Sequence, residues 1–206
     1  NGTGYRVQTY QAGASLDSVL KKQGGRLKAK TALAIMRPVL EALHAAHQHG
    51  LVHGALSPAA LFLSKEGKPF LQGFRTAHLM LAQRTGQNEA LLRDGFSAPE
   101  QYYTEGQPGP WIDIYGAAAT LFQMLSGGSL PSAALRRTND PVPDLIDAAP
   151  EVWESLGVLL KEALALDVAS RPRSVRTFLK RLIDAYDQPL VSQPAETPSP
   201  PPAASR

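Results

Sequence analysis

The segment WIDIYGAAATLFQML, from Trp111 to Leu125, constrains the fold more than any other part of the sequence. It is typical of a helix, and its residues are apolar on almost every side of that helix. A helix without a polar face has to be buried, so other elements must surround it. The sequence SGG directly after it predicts where the helix ends. We therefore expect one hydrophobic core with this helix at its centre.

Patterns on both sides predict the elements that cover this helix. Apolar residues at helical spacing predict a helix at about 29–49, bent by Pro38. Ser15 is a predicted N-cap for a short helix, and the sequence EG between two apolar runs predicts a β-hairpin of strands 61–63 and 69–71. A mainly α fold of the α+β class follows. The other predicted elements are a strand at 4–10 that the sequence QAGAS ends, a long polar connection at about 75–97, and helices at about 150–164 and 174–185.

The composition excludes several classes of protein. Without cysteine the chain has no disulfide, thiolate metal site or cysteine nucleophile, which fits a reducing compartment. The net charge is only +3, and basic residues form short pairs at Lys21–Lys22, Arg136–Arg137 and Lys180–Arg181. Such pairs are typical of solvated helix faces, so we expect no nucleic-acid partner. No stretch approaches the roughly 20 apolar residues that span a bilayer. We therefore expect a cytoplasmic protein, or the cytoplasmic part of a membrane-anchored one.

The composition changes abruptly at Gln188. The sequence QPLVSQPAETPSPPPAASR is rich in proline, serine and alanine and cannot bury a core. We therefore predict a folded domain at 1–187, in which 1–14 form an entering strand and linker, followed by a disordered, proline-rich tail at 188–206. Such a tail is a plain linker or a polyproline ligand, and whether it leads to a membrane stays open.

The order of the elements and five motifs resemble the larger, mostly helical lobe of a protein kinase. The combination is similar to one bacterial branch of the Ser/Thr kinases. The resemblance covers about residues 4–185. It implies a kinase-like C-lobe with a short β-hairpin and a long activation-type segment, without the smaller N-lobe in this chain. The motifs are LHAAHQHGLVHGALSPAALFL, which resembles the catalytic loop; FLQGF, where D-F-G belongs; SAPEQY, with the A-P-E triplet; GPWIDIYGAAATLF, the buried helix; and LDVASRPRSV, with an Arg-Pro pair before the last helix.

Four residues of these motifs are expected to hold the fold together. A carboxylate in apolar surroundings nearly always needs a partner. Asp113 is the only charged residue of its apolar helix, so it must accept hydrogen bonds from backbone N–H groups. The resemblance implies that Asp113 holds the loop around His53. It also implies that Glu100 pairs with Arg171 and so ties the long connection to the last helices.

The same motifs lack the groups that transfer a phosphate. A kinase uses an Asp to accept the hydroxyl proton, and an Asn and a second Asp to hold Mg²⁺. The resemblance puts Ala55 at the first of these positions, Ala60 at the second and Gln72 at the third, while Ser57 replaces a frequent Lys. A methyl group takes no proton, and a neutral amide is a poor ligand for a hard dication. We therefore expect no catalytic residue, no metal site, and neither ATP nor Mg²⁺ as a cofactor.

Two other groups of residues bear on binding. His44 and His47 share a helix face, but no carboxylate or cysteine joins them in the sequence, so we expect no metal there. A large lobe by itself would expose the apolar faces of Tyr10, Leu71 and Phe74, and surfaces of that kind usually meet a partner.

These observations favour a catalytically inactive pseudokinase that binds another protein, as a scaffold or an allosteric regulator in bacterial signalling. The partner is unidentified; a kinase and the absent N-lobe are the two candidates. Two alternatives stay open. One is an atypical active Ser/Thr kinase with a relocated base such as Asp94. The other is a weak nucleotide-binding module without turnover, in which Thr9, Tyr10 and Gln11 face the nucleotide.

Overall fold

The computed structural model describes residues 10–74, 92–103, 109–138, 140, 142, 145–149 and 152–187. The predicted strand at 4–9, most of the long connection, at 75–91, and the tail at 188–206 lie outside the described residues. The elements, in chain order, are β1 (Gly13–Ser15), α1 (Leu16–Lys22), α2 (Ala29–Gln48), β2 (Leu61–Ser64), β3 (Pro69–Leu71), α3 (Pro110–Ser126), α4 (Ala133–Arg136), α5 (Leu145–Ala148), α6 (Glu154–Ala163) and α7 (Val175–Asp187), with 3₁₀ turns at Pro58–Ala60, Pro99–Tyr102 and Val168–Ser170.

Helix α3 lies at the centre of the core, as its apolar sequence predicts. Thirteen of its 17 residues are buried, which leaves it almost no face for water. It packs against α2, α6 and α7. The loop between α2 and β2 approaches this helix closely. A Cβ on Gly116 would lie only 3.0 Å from the carbonyl oxygen of Leu56 in that loop. The helix ends at Ser126 and is followed by its C-cap Gly127, whose φ of 76° is the left-handed conformation that favours glycine.

Helices α1 and α2 form where the sequence predicts them. The hydroxyl of Ser15 accepts a hydrogen bond from the N–H of Ser18 at 3.3 Å, which is the predicted N-cap. Pro38 lies inside α2, as expected. The buried face of α2 includes the apolar residues whose spacing predicts the helix, namely Leu33, Met36, Leu40 and Leu43. These side chains pack α2 into the same core as α3.

The strands form one antiparallel sheet in the order β1–β2–β3. The pairing of Phe62 with Phe70 confirms the predicted hairpin. The sequence QAGAS was expected only to end the strand before it, but its last three residues, Gly13–Ser15, form a strand that pairs with β2. Three small residues have little strand propensity of their own, so pairing with β2 produces this strand. A Cβ on Gly13 would lie 2.0 Å from the carbonyl oxygen of Leu63, so glycine is required for this close approach.

Of the remaining helices, α6 is shorter than predicted, α7 is shifted by one residue at its start and ends two residues later than predicted, and two short helices have no counterpart in the sequence pattern. Helix α6 begins at Glu154, four residues after the predicted start at 150, and α7 begins at Val175. The four-residue helices α4 and α5 have no periodic signal. Within the described ranges, no helix is both long and apolar enough to cross a bilayer. The mostly helical fold with one small sheet confirms the predicted mainly α, α+β class.

Candidate functional site

The loop between α2 and β2 is held by one buried carboxylate. Asp113, in the first turn of α3, is completely buried. Its Oδ2 accepts a hydrogen bond from the backbone N–H of His53 at 2.8 Å, and its Oδ1 accepts one from the N–H of Gly54 at 2.7 Å. Bonds to an ionised acceptor are stronger than neutral ones, so they offset the loss of hydration. The backbone of this loop is therefore fixed to the central helix.

His47 is the third donor to the same carboxylate. Its Nε2 lies 2.8 Å from Oδ2 of Asp113, and only 8% of its side chain is exposed. The expectation that no carboxylate joins the histidines at the end of α2 is therefore wrong. The pair was missed because 66 residues separate its members in the sequence. Among the described residues, no three His, Cys, Asp or Glu side chains are grouped as a metal site would require.

His53 connects this loop to the end of β3. Its Nδ1 accepts a hydrogen bond from the N–H of Ala55 at 3.2 Å, and its Nε2 lies 2.8 Å from the carbonyl oxygen of Gln72. Because Nδ1 accepts, the proton is on Nε2, which donates to Gln72. The ring of Phe74 meets the imidazole edge-on, with the ring centroids 4.9 Å apart. His53 thus has a positioning role, and its side chain is fully buried.

Backbone hydrogen bonds link the residues at the expected chemical positions to this imidazole or to one another. His53 bonds to both Ala55 and Gln72, and the N–H of Gln72 donates to the carbonyl oxygen of Ala60 at 2.9 Å. The side chains at these three positions are two methyl groups and one neutral amide. Ser57, nearby in the loop, is buried. This donor set does not fit Mg²⁺, which prefers carboxylate and water oxygens.

Gln101 is a further positioning residue that the sequence did not single out. Its side-chain oxygen accepts a hydrogen bond from the N–H of Ala98 at 2.9 Å, and its amide nitrogen donates to the carbonyl oxygen of Gly54 at 2.9 Å. Only 8% of the residue is exposed. It therefore joins the segment after the long connection to the loop that Asp113 holds. The feature of the sequence that could have indicated this role is the position of Gln101 directly after Glu100 of the A-P-E motif.

Glu100 and Arg171 form a two-bond ion pair. The distances are 2.7 Å from Nη1 to Oε1 and 3.0 Å from Nη2 to Oε2. The side chain of Arg171 is fully buried, and that of Glu100 is 11% exposed. Arg171 also donates to the carbonyl oxygens of Ala165, Leu166 and Trp111. The pair joins the 3₁₀ turn at Pro99–Tyr102 to the segment between α6 and α7.

Arg136 corrects one interpretation of the basic pairs. It was expected on a solvated face, but it is only 3% exposed. It donates to the hydroxyl of Tyr115 and the carbonyl oxygen of Leu164, both at 2.9 Å, and twice to the carboxylate of Asp140. These hydrogen bonds hold the pKa of Asp140 below its usual value, against the opposing effect of partial burial. Its neighbour Arg137 is exposed, as expected.

The residues expected to face a nucleotide are exposed where the structure describes them. Thr9 lies outside the described residues. Tyr10 is 88% exposed, and Gln11 is exposed too. Of the other residues expected to expose apolar faces, Phe74 is 40% exposed and Leu71 is half-buried.

The described residues also form an open groove of about 900 Å³ on a different part of the molecule. Apolar side chains such as Phe122, Val158 and Leu164 line it, together with Arg136 and Asp140. It shares no lining residue with the loop around His53. The groove is therefore separate from the candidate site.

Residues 3–184 match the protein kinase domain family. The serine/threonine-protein kinase PknK of Mycobacterium bovis is 29% identical over 201 residues, which cover 93% of this chain and 18% of PknK. PkaB, a serine/threonine-protein kinase of Streptomyces coelicolor, is 32% identical over 72% of this chain and 38% of its own length. PknA of Mycobacterium tuberculosis is 27% identical over 96% of this chain and 46% of its own length. The chain thus spans less than half the length of these curated relatives.

Solved structures of low sequence identity have the same fold. PpkA-294 in its apo form has a TM-score of 0.72 at 23% identity, over 84% of this chain and 61% of that one. The kinase domain of PknI from Mycobacterium tuberculosis has a TM-score of 0.68 at 23% identity, over 85% of this chain and 64% of that one. These similarities confirm the predicted kinase-like fold. With its helices, its sheet and its family match over residues 3–184, the chain belongs to the protein kinase domain family.

Proposed function

We propose that this chain is a catalytically inactive member of its family, which acts by binding another protein as a scaffold or an allosteric regulator in bacterial signalling. One observation carries the proposal. The buried imidazole of His53 bonds to the backbone of Ala55 and of Gln72, and Gln72 bonds to the backbone of Ala60; the family resemblance calls for a proton acceptor and two metal ligands at these three positions. None of these three side chains ionises.

The size of the loss supports inactivity. In phosphoryl transfer, one well-placed charged group accelerates the reaction by about 10³–10⁵-fold. Here the groups at all three positions are replaced together. Such effects are not additive, but each replacement removes a different part of the machinery. No described side chain at these positions is left to accept the hydroxyl proton.

The same positions argue against ATP with Mg²⁺ as a cofactor. Two methyl groups offer no ligand, and the amide of Gln72 is neutral. The carbonyl oxygen of Gln72 already accepts a hydrogen bond from His53. On the adenine side, Tyr10 is almost fully exposed and offers no enclosed pocket in the described part of the chain. We therefore expect nucleotide binding to be weak.

The framework of the site is nevertheless complete, and this favours a role in binding. Asp113 still receives three hydrogen bonds, Gln101 still bridges to Gly54, and Glu100 still pairs with Arg171. These contacts keep the shape of the loop and of the segment around it. A chain that keeps this shape without the reactive groups presents a stable surface to a partner.

The second candidate function is an atypical active Ser/Thr kinase, and the names of the relatives favour it. PknK and PkaB are named serine/threonine-protein kinases. A relocated base would have to be Asp94, which is exposed. Burial raises the pKa of the Tyr102 hydroxyl to about 12, and the negative charge of Asp94 makes a smaller contribution in the same direction. Asp94 therefore lies near Tyr102. Nothing in the described contacts brings Asp94 to Ala55, so this candidate is the weaker one.

A phosphotransfer assay tests the proposal. The full-length protein that contains this chain is incubated with radiolabelled ATP, Mg²⁺ or Mn²⁺, and a mixed set of Ser/Thr peptides, with PknA as the positive control. We expect no transfer above the background without enzyme. Transfer that depends on Asp94, and is lost in Asp94→Ala, would refute the proposal in favour of the second candidate. Transfer that is unchanged in Asp94→Ala would refute it as well.

Nucleotide binding is measured separately by a thermal-shift titration with ATP, with and without Mg²⁺. A ligand that binds the folded state raises the melting temperature in proportion to the logarithm of its concentration. We expect no shift at sub-millimolar ATP. A shift of several degrees that Mg²⁺ increases would contradict the expectation that the site holds no metal-bound nucleotide.

A further inference from the structure

The turn between α1 and α2 carries a dense group of positive charges. From residue 18 to residue 40 the sequence contains six Lys or Arg and no Asp or Glu. Five of the six fall within residues 21–30, which we call the basic turn. All five are exposed in the structure: Lys21, Lys22, Arg26, Lys28 and Lys30. Charges this close to one another act together, because the screening length at physiological salt is about 8 Å.

Fold stability explains only part of this group: Lys21 and Lys22 lie in the last turn of α1, where the helix dipole favours cations, but it does not explain the charges at the start of α2. Lys28 is the N-cap of α2 and makes no side-chain capping bond, and the first turn of α2 has no acidic residue. Cations at this end of a helix face its positive dipole, which opposes them by about 0.3–1 kcal/mol each. Lys21 pairs with Asp17. Within the described part of the chain, Lys22, Lys28 and Lys30 have no ion-pair partner.

The backbone holds the basic turn in one place. The N–H of Leu27 donates to the carbonyl oxygen of Met124 in α3 at 2.6 Å, and the side chain of Leu27 is buried. The N–H of Gly25 donates to the carbonyl oxygen of Leu20 at 2.8 Å. The charges are therefore displayed on a fixed frame, and a ligand does not have to order that frame when it binds.

We infer that the basic turn is the docking surface for an acidic segment of a protein partner. The inference rests on the proposed function in one respect, namely that the chain acts by contact with another protein. The positive charge of the surface is complementary to an anionic partner, and in a protein segment Asp and Glu supply that charge.

Two other kinds of anionic partner fit the surface less well. A membrane-binding surface combines cations with exposed apolar side chains that insert among the lipids. Leu27, the one large apolar residue of the basic turn, is only 5% exposed. A surface for single-stranded nucleic acid combines cations with aromatic rings that stack on bases. The sequence has no Phe, Tyr or Trp between residues 16 and 48.

The test uses fluorescein-labelled decaglutamate as the probe and fluorescence anisotropy as the readout. The test variant is Lys22→Glu/Lys28→Glu/Lys30→Glu. The matched control is Lys65→Glu/Arg173→Glu/Arg176→Glu, which changes the net charge equally at exposed positions elsewhere. A second test variant with Gln at residues 22, 28 and 30 removes the charges without adding repulsion. Circular dichroism and urea midpoints establish that each variant is folded.

We expect the Glu variant of the basic turn to bind the peptide at least about tenfold more weakly than the wild type. The affinity of the Gln variant should lie between those two, and the affinity of the control should change less than about twofold. We also expect the affinity of the wild type to fall steeply with salt. An equal loss in the test and control variants, or no binding by the wild type, would overturn the inference. Tighter binding to a ten-nucleotide single strand, or to vesicles containing phosphatidylserine, would overturn the assignment to an acidic protein. Phosphotransfer is measured in a separate assay. Enzyme activity in that assay would refute the proposed function but would leave the result of the peptide-binding test unchanged.

Discussion

Replacing Asp113 with Asn tests whether one carboxylate holds the loop around His53. The substitution changes the shape very little but removes the charge and turns one acceptor into a donor. The oxygen of the new amide can stay where Oδ2 accepts from His47 and from the N–H of His53. Its NH₂ group then faces the N–H of Gly54, at the 2.7 Å now occupied by a hydrogen bond.

The expected loss follows from these three bonds. A hydrogen bond to a charged group contributes about 1.5–3 kcal/mol and a neutral one about 0.5–1.5 kcal/mol, so each of the two remaining bonds weakens by about 1 kcal/mol. A buried donor left without a partner costs about 1–3 kcal/mol. We therefore expect the free energy of unfolding to fall by about 3–5 kcal/mol. Since a domain is stable by only about 5–15 kcal/mol, the effect is large.

The assay is urea unfolding followed by circular dichroism, with hydrogen exchange as a local readout. Asp184→Asn is the matched control, because Asp184 pairs with Lys180 on the surface and its side chain is 55% exposed. Surface pairs contribute about 0–1 kcal/mol, so the control should barely move the midpoint. In Asp113→Asn the amides of residues 53 and 54 should exchange faster than in the control.

A loss below about 1 kcal/mol in Asp113→Asn, with unchanged exchange at residues 53 and 54, would refute this reasoning. It would mean that the loop keeps its shape through other contacts. Unchanged exchange together with a large loss would show that the carboxylate stabilises α3 and not the loop.

Three further predictions concern the rest of the frame. Glu100→Gln should lower the free energy of unfolding by about 3–5 kcal/mol, because it leaves the buried guanidinium of Arg171 without its counter-charge; urea unfolding measures this, and a loss similar to that of an exposed acid would contradict it. The pKa of Asp140 is held below its usual value of 3.8 by hydrogen bonds from Arg136, so its contribution to stability is present above that pH and is lost as the pH falls through the lower folded-state pKa. Asp140→Asn should therefore lose less stability than the wild type on acidification, by a modest amount since the side chain is 46% exposed, and identical acid profiles would exclude this contribution. Gly116→Ala should destabilise by about 1–3 kcal/mol, because the new methyl would lie 3.0 Å from a loop carbonyl oxygen; an unchanged urea midpoint would show that the loop yields freely.

The sequence predicted the parts of the fold that repeat at a regular spacing. Helices α2 and α3 and the hairpin follow from apolar periodicity, and Ser15 as a cap follows from its position before α1. The alanines at 55 and 60, which the resemblance aligns with reactive positions of a kinase, can be read from the sequence alone because this alignment needs no geometry.

The features that were not predicted depend on partners distant in the chain. Strand β1 exists only because β2 lies beside it, about 50 residues later. Arg136 looks like half of a surface pair until Tyr115 and Leu164 are brought to it. Gln101 bonds to Gly54, which lies 47 residues earlier. Local patterns carry no signal for such contacts, since they form only when the core assembles.

The nearly complete burial of α3 has a consequence for biosynthesis. Helix α3 packs against α2, which the ribosome has already made, and also against α6 and α7, which follow it. Residue 187, the end of α7, is 61 residues beyond residue 126, the end of α3. At about 5–20 residues per second, roughly 3–12 s pass before those helices are complete. During that interval the nascent chain exposes an apolar helix without the covering of its later partners, which makes it a natural client for chaperones at the ribosome exit.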